Sequence, residues 1–400
     1  MSVYAILISA LIALLATCWF QPHILNVAKK KNIVDNPDAR KLQRTPIPVM
    51  GGIVVVFGIM IGLMILNIFG DYNNMFTVIA SVIVIMFVGF LDDIYGLSPK
   101  TRFIIEILIV IYLILSTGNQ INNFHGLWGI DILPNWASIP LSIFACVGII
   151  NAINLIDGVD GYSSGYCIMA SIYFGYSFYK LGNMKMVALS AIIIAALLPF
   201  FFCNVFGKFS KMFIGDSGTL SMGILISTFV ANMLTATTEI TPLNANVGLI
   251  PLSLAIMSVP IFDTLRVMSA RIARGTSPFY PDKTHLHHAF IDLGFSHIGT
   301  TISILTMNTI VVGGWCVAYW LGASIDVQLY IVIAMSVLVT FGIYSFIYHH
   351  IRKDTKTCRV LRLLARQTHI ERKGIWKVLQ NWVDRRSKPE NENEQNEKAA

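Results

Sequence analysis

The chain has 400 residues, of which 55% are hydrophobic and only 13% charged, and its formal net charge is +7. The apolar residues come in runs near the ~20 needed to cross a bilayer, which excludes a water-soluble enzyme and points to a polytopic membrane protein. The six cysteines (Cys18, Cys146, Cys167, Cys203, Cys316 and Cys358) are scattered without a Cys-x-x-Cys spacing, so neither a disulfide framework nor a zinc site is indicated.

In chain order the sequence predicts an all-α protein with about eleven transmembrane helices, near 3–21, 47–69, 75–91, 101–117, 137–153, 161–179, 185–205, 218–236, 247–267, 298–321 and 327–350. The first stretch has no basic n-region and no small-residue cleavage site before Pro22, so it reads as a retained span that ends at that proline. Every Lys and Arg except Lys180 and Lys185 falls on one set of connecting segments and the tail. The positive-inside rule makes that set cytoplasmic, with the N-terminus outside and the C-terminus inside. Residues 1–350 then form the transmembrane unit. In the tail, 351–386, Val360, Leu361, Leu364, Ile375, Trp376, Leu379, Trp382 and Val383 recur at helical spacing among Arg and Lys. That pattern favours a basic amphipathic segment on anionic lipid over one docked on a protein partner. Residues 387–400 are too polar to bury anything and are expected to be disordered.

Against this apolar background Asp92, Asp93, Asp157, Asp160, Asp216, Asp263 and Asp282 sit at ends of predicted spans, all on the same side. An Asp at the centre of a spanning helix costs about 2.5–3.5 kcal/mol on insertion scales, so a convergent set calls for a cation, a polar substrate or both. Asp92 and Asp93 close the third span, and Ser98 with Pro99 forms a good N-cap and first position for the next helix. The aspartate pair therefore faces the negative end of a helix dipole, against electrostatic preference, unless it is simply a wetted helix terminus. One member is suited to act as a base while the other holds a cation or orients its neighbour. In Asn151-Ala-Ile-Asn154-Leu-Ile-Asp157-Gly158-Val-Asp160-Gly161 a tight turn presents amides and carboxylates suited to a ribose or base edge, with turn capping as the alternative. Asp216, between Gly215 and Ser217-Gly218, can offer a carboxylate to Mg²⁺ or cap the eighth span; Asn204, Lys208 and Lys211 precede it.

The largest polar loop, Arg271 to His297, carries Arg274, Lys283, His285, His287 and His288, stiffened by Pro278 and Pro281. This donor-rich set favours phosphate oxygens over zinc, for which no partner at ligand spacing exists beyond Asp282. Asp263, three residues before Arg266, reads equally as an internal ion pair or a ligand.

GFLDDIYGL, NAINLIDGVDG, FIGDSG and SPFYPDKTHLHH, in this order, together with the segment from Asp35 to Gly52, resemble the bacterial polyprenyl-phosphate N-acetylhexosamine-1-phosphate transferases over roughly residues 5–350. The resemblance implies transfer of a sugar-1-phosphate, GlcNAc-1-phosphate above all, from a UDP-sugar to undecaprenyl phosphate. It further implies release of UMP, a need for Mg²⁺ with Mn²⁺ able to substitute, and an active site facing the cytoplasm of the bacterial inner membrane at the start of a lipid-linked cell-surface glycan such as lipopolysaccharide. Carried over by position, Asp92 matches the general base and Asp93 its partner, and Asp216 the Mg²⁺ ligand. Asn154, Asp157 and Asp160 match the nucleotide-side turn, and His285, His287 and His288 the histidine motif near the phosphates; Asn204 is assigned with the former to nucleotide and sugar, and Arg274 and Lys283 with the latter to phosphate. Single and double displacement both remain compatible with the motifs. The chain departs from the family pattern at Gln43, at Lys208-Phe209-Ser210-Lys211, and at Lys283, where Arg is common. No nucleic-acid partner is expected, and a homodimer is compatible with the sequence. The rival reading, a secondary transporter of an anionic or nucleotide-linked solute, calls for repeated halves with polar groups at the membrane midplane, and neither is present in the pattern.

Overall fold

The computed structural model describes residues 2–36, 45–70, 74–238, 246–278, 282–372 and 374–387; Gln43 and residues 388–400 lie outside the described residues. Helix α1 (Val3–Lys30) is followed by two short strands, β1 (Val34–Asp35) and β2 (Ile47–Pro48), paired antiparallel. Then come α2 (Gly51–Ile68), α3 (Asn74–Tyr95), α4 (Pro99–Thr117), α5 (Asn135–Leu155), α6 (Tyr162–Lys180), α7 (Met184–Phe206) and α8 (Gly215–Met233). Helices α9 (Leu249–Ile256) and α10 (Ser258–Ala273) meet at a bend of 71°. Past the short α11 (Leu286–Leu293) lie α12 (His297–Trp320) and α13 (Ile325–Val337), the latter joined to α14 (Ile343–Lys353) by a π-helical turn at Leu338–Gly342. Helices α15 (Lys356–Gln367) and α16 (Gly374–Asp384) complete the described chain.

Each predicted stretch coincides with a helix or a contiguous pair of helices, with boundaries moved for local reasons. The first does not stop at Pro22: α1 continues to Lys30, because proline forfeits one helical N–H while packing against α2 and α7 holds the rest. The second begins at Gly51 and not at 47, since Ile47 and Pro48 are in the strand pair. Ser98 caps α4 as expected, its hydroxyl accepting from the Thr101 N–H at 3.1 Å, with Pro99 in the first turn.

Among the described residues seven helices are long and apolar enough to cross a membrane, and an eighth span is available if α9 and α10 count as one broken crossing. Two helices outside that set are more polar: α4 carries Lys100, Arg102 and Glu106, and α8 carries a run of hydroxyls. Helix α8 needs little hydrophobicity because protein surrounds it; all its residues but Asp216 and Asn232 are buried, against α3, α5 and α2. Its hydroxyls bond back along the helix, as Ser221 does to the Ser217 carbonyl (2.6 Å) and Thr228 to that of Ile224 (2.8 Å).

Candidate active site

The site is assembled around the N-terminus of α8. A Cβ on Gly89 would fall 2.5 Å from the Asp216 carbonyl carbon and the Ser217 nitrogen, so only glycine lets α3 pass this close. The approach brings Asp93 to the end of α8, where its carboxylate accepts the N–H groups of Asp216 (2.8 Å) and Ser217 (3.2 Å). Asp93 thus supplies the helix cap that Asp216 was a candidate for, and a carboxylate suits the positive end of a helix dipole. Strand β2 ties in from the other side: the Phe213 N–H donates to the Pro48 carbonyl (2.8 Å), and the Gly52 N–H to that of Ile214 (2.7 Å).

Freed from capping, Asp216 points away from α8. Its Oδ1 accepts from the Asn154 amide at 2.6 Å, and its Oδ2 lies 3.3 Å from Arg102 Nη1. The same Arg102 nitrogen is 3.1 Å from Asp92 Oδ2, and Arg102 Nε is 3.4 Å from Glu106 Oε1. Asp92 is oriented through its other oxygen by the Leu97 N–H (2.6 Å), and Glu106 by the Asn151 amide (2.5 Å). Asp92, more than a hundred residues from Asp216 in sequence, therefore converges with it on one guanidinium nitrogen.

Of these groups Asp92, Asp93 and Asp216 border a cavity of about 1100 Å³, whose lining also includes Asp157, Asp160, Asn204 and His288. Asp157 is open to the cavity yet enclosed by protein. That enclosure pushes its carboxyl up to about 7, against the hydrogen bond from Ser163 (2.5 Å) and reinforced by the charge of Asp216. Asp160 goes the other way: burial would raise it, but His297 (2.8 Å) and Lys211 (2.6 Å) hold it below the usual carboxylate range. Asn204 staples the turn, its Oδ1 accepting from the Gly161 N–H (2.6 Å) while its amide donates to the Met212 carbonyl (2.8 Å). Gly161 takes the left-handed conformation expected of it (φ +75°). Gly158 is needed for close approach, since a Cβ there would meet the His287 ring at 2.3 Å.

The histidine loop is divided among several tasks. His285 donates through Nδ1–H to the Asp263 carboxylate (2.9 Å), which also receives Arg266 (2.7 Å) and the Leu286 N–H (3.2 Å). Of the two readings left open for Asp263, the internal ion pair is the one formed. Burial drives the pKa of His287 well below its usual value, helped by the neighbouring His288 and His285, so this ring is neutral near pH 7 and serves as packing beside Gly158. His288 is also lowered by burial but reaches the cavity. Arg274 and Lys283 are exposed on the loop; Arg274 joins Arg271 in pairing with Asp282 (3.1 and 2.9 Å). Sequence reasoning missed Arg102 and His297 as site residues, and it missed Glu106 altogether. Glu106 had a readable signal, a carboxylate inside an apolar run. Among the described residues no cluster of three or more His, Cys, Asp or Glu side chains is placed to hold a metal by itself.

An apolar helical bundle with a carboxylate-lined cavity at its helix ends is the architecture of a multi-pass membrane enzyme, and the family model described as glycosyl transferase family 4 matches residues 75–234, the segment that carries Asp92, Asp93, Asn154, Asp157, Asp160 and Asp216. The chain is 31% identical over 293 residues to the probable undecaprenyl-phosphate N-acetylglucosaminyl 1-phosphate transferase of Bacillus subtilis, covering 73% of this chain and 79% of that protein. It is 30% identical over 279 residues to the undecaprenyl-phosphate alpha-N-acetylglucosaminyl 1-phosphate transferase of Yersinia pestis, covering 68% and 72%. With the protein of the same name from Salmonella typhi it shares 26% over 355 residues, covering 87% and 91%. The chain belongs to this family of polyprenyl-phosphate sugar-1-phosphate transferases.

Proposed function

We propose that the protein transfers GlcNAc-1-phosphate from UDP-GlcNAc to undecaprenyl phosphate, releasing UMP, at the cytoplasmic face of the bacterial inner membrane, as the first step of a lipid-linked cell-surface glycan. The observation that carries this reading is the meeting of Asp92 and Asp216 on Arg102 beside a large polar cavity in an otherwise apolar bundle. In this reading the chain crosses the membrane about eleven times, with the N-terminus outside. The support is the placement of nearly all Lys and Arg on the segments that carry the site.

Asp92, held by Leu97 and Arg102, accepts the proton of the undecaprenyl phosphate monoanion. The freed phosphate oxygen attacks the β-phosphorus of the donor, the bond from that phosphorus to the bridging oxygen breaks, and UMP carries the bridging oxygen away. Asp93 positions Asp216 by capping α8 and needs no contact with substrate. Asn154, Asp157 and Asp160 face the nucleotide and sugar. Lys211, His288 and His297, which line the cavity together with Lys29 and Lys208, are nitrogen donors for phosphate oxygens.

Asp216, with Asp92 beside it, fits a Mg²⁺ ion. Two carboxylate oxygens already converge on one cationic nitrogen, and Mg²⁺ takes one or two carboxylates with phosphate oxygens and waters completing the set. When bound, the ion neutralises the charge of the pyrophosphate. The exposed apolar residues of α15 and α16, among them Val360, Leu363, Leu364, Val378 and Trp382, with Arg359, Arg362 and Lys377 between them, support contact with anionic lipid.

Purified protein supplied with undecaprenyl phosphate, Mg²⁺ and a panel of UDP-sugars tests the reading. Stoichiometric UMP and sugar-labelled lipid from UDP-GlcNAc is the expected result. UMP without lipid product, or uptake of donor into liposomes without chemistry, would end it.

A further inference from the structure

Asp384, the last residue of α16, is 1% exposed, although it lies in a tail whose pattern reads as a lipid-surface helix. Its carboxylate accepts the backbone N–H groups of Lys208 (3.0 Å), Phe209 (3.0 Å) and Ser210 (2.8 Å), together with the Ser210 hydroxyl (2.7 Å). A helix that only rested on lipid would have no use for a buried carboxylate satisfied by four donors from one loop. The helix is seated by aromatic contacts as well, Trp376 on Phe206 (centroids 4.6 Å apart) and Trp382 on Phe202 (6.2 Å). Trp376 and Gln380 line the same cavity as Asp92 and Asp216.

The loop that Asp384 grips is held from two other directions. Lys29 of α1 donates to the Phe209 carbonyl (2.7 Å), and Lys211 reaches across to Asp160 (2.6 Å). Ser210 and Lys211 are adjacent, so the backbone that Asp384 fixes sets where the Lys211 side chain begins.

We propose that α16 is a wall of the catalytic cavity and that Asp384 is a positioning residue, which fixes the 207–211 loop so that Lys211 and Asp160 are presented to the donor nucleotide sugar. The functional half of this proposal rests on the reading of the cavity as the donor site; the structural half does not. Loss of the carboxylate leaves three backbone N–H groups without their acceptor and loosens Lys211, which weakens donor binding and leaves the acceptor lipid unaffected.

Hydrogen exchange on the full chain in detergent or nanodiscs, with wild type and Asp384→Ala compared, reads the clamp directly. In wild type the amides of residues 208–210 are expected to exchange slowly; in the variant the 207–211 peptide exchanges at least about tenfold faster while peptides from α8 are unchanged. Steady-state kinetics should show KM for UDP-GlcNAc raised about tenfold with KM for undecaprenyl phosphate within about twofold of wild type. Fast exchange in wild type, or no difference in the variant, overturns the clamp. A looser loop with unchanged donor KM overturns the positioning role. If Asp384→Ala does not fold, Ser210→Ala, which removes only the hydroxyl donor, is expected to shift both readouts the same way by a smaller factor, and no shift counts against the proposal. Absence of UMP release from wild type with any UDP-sugar would defeat the assigned reaction, while the exchange data would still decide the clamp.

Discussion

Two charged clusters lie in this bundle, and they differ in balance. Around Asp263 and Asp282 every carboxylate is matched: Asp263 has Arg266 and His285, and Asp282 has Arg271 and Arg274. Around α8 the carboxylates of Asp92, Glu106 and Asp216 share Arg102, the cation paired with them among the described residues, while Asp93 accepts the N–H groups of Asp216 and Ser217 there. The side chains differ in access as well, 4% exposed for Asp263 against 32% for Asp216. The matched and sealed Asp263 has spent its charge on holding the chain together. An unmatched cluster open to a cavity has charge left for a substrate or a cation, which is why the chemistry is assigned to it.

Substitutions that separate the two clusters sharpen this contrast. The largest effect is expected at Asp92. Asp92→Asn keeps the hydrogen-bonding shape and removes the base, so UMP release should fall by about 10³-fold or more with the melting temperature unchanged. Next is Asp263→Asn, where the loss should appear as stability. Breaking one partner of a buried pair costs about 3–5 kcal/mol, visible as a lower melting temperature, while turnover per folded molecule stays within a few-fold of wild type. Equal turnover losses at Asp92 and Asp263 in folded protein would erase the distinction.

A smaller effect is expected from pH. Asp157 titrates at about 7, above the ordinary carboxylate value of 3.8, so its carboxyl is protonated below neutrality and ionised above. If its ionised form binds the donor, kcat/KM for UDP-GlcNAc rises through about pH 7, and Asp157→Asn removes that limb of the profile. The same raised value has the opposite sign for stability: between 3.8 and about 7 the unfolded chain releases a proton that the folded chain retains, so this group's contribution to stability declines as pH rises through that window. The smallest effect belongs to Arg274, exposed and sharing Asp282 with the better buried Arg271. Arg274→Ala should change turnover by less than about twofold, since exposed pairs contribute 0–1 kcal/mol.

The sequence made the carboxylates legible because acids at the ends of apolar runs contradict their surroundings, and physics flags contradictions. Asp92, Asp93 and Asp216 stood out for that reason, and Ser98 with Pro99 announced α4 through local capping chemistry. Partners set by packing were not readable. Nothing near Asp160 in the chain announces His297, because the contact exists only once α12 lies against the turn after α5. Arg102 was counted as a topological charge and not as a site residue, since its three carboxylate partners come from α3, α4 and α8. The tail shows the same limit. Its apolar spacing is amphipathic, but which apolar residues meet protein is decided by Phe202 and Phe206 at the end of α7.

The central claim, that the unmatched carboxylates at the start of α8 perform the reaction, is tested most directly at Asp216. UMP release from UDP-GlcNAc by Asp216→Asn, with undecaprenyl phosphate and saturating Mg²⁺, is predicted to drop by about 10³-fold or more in a protein that melts like wild type. Turnover within about threefold of wild type would contradict the account.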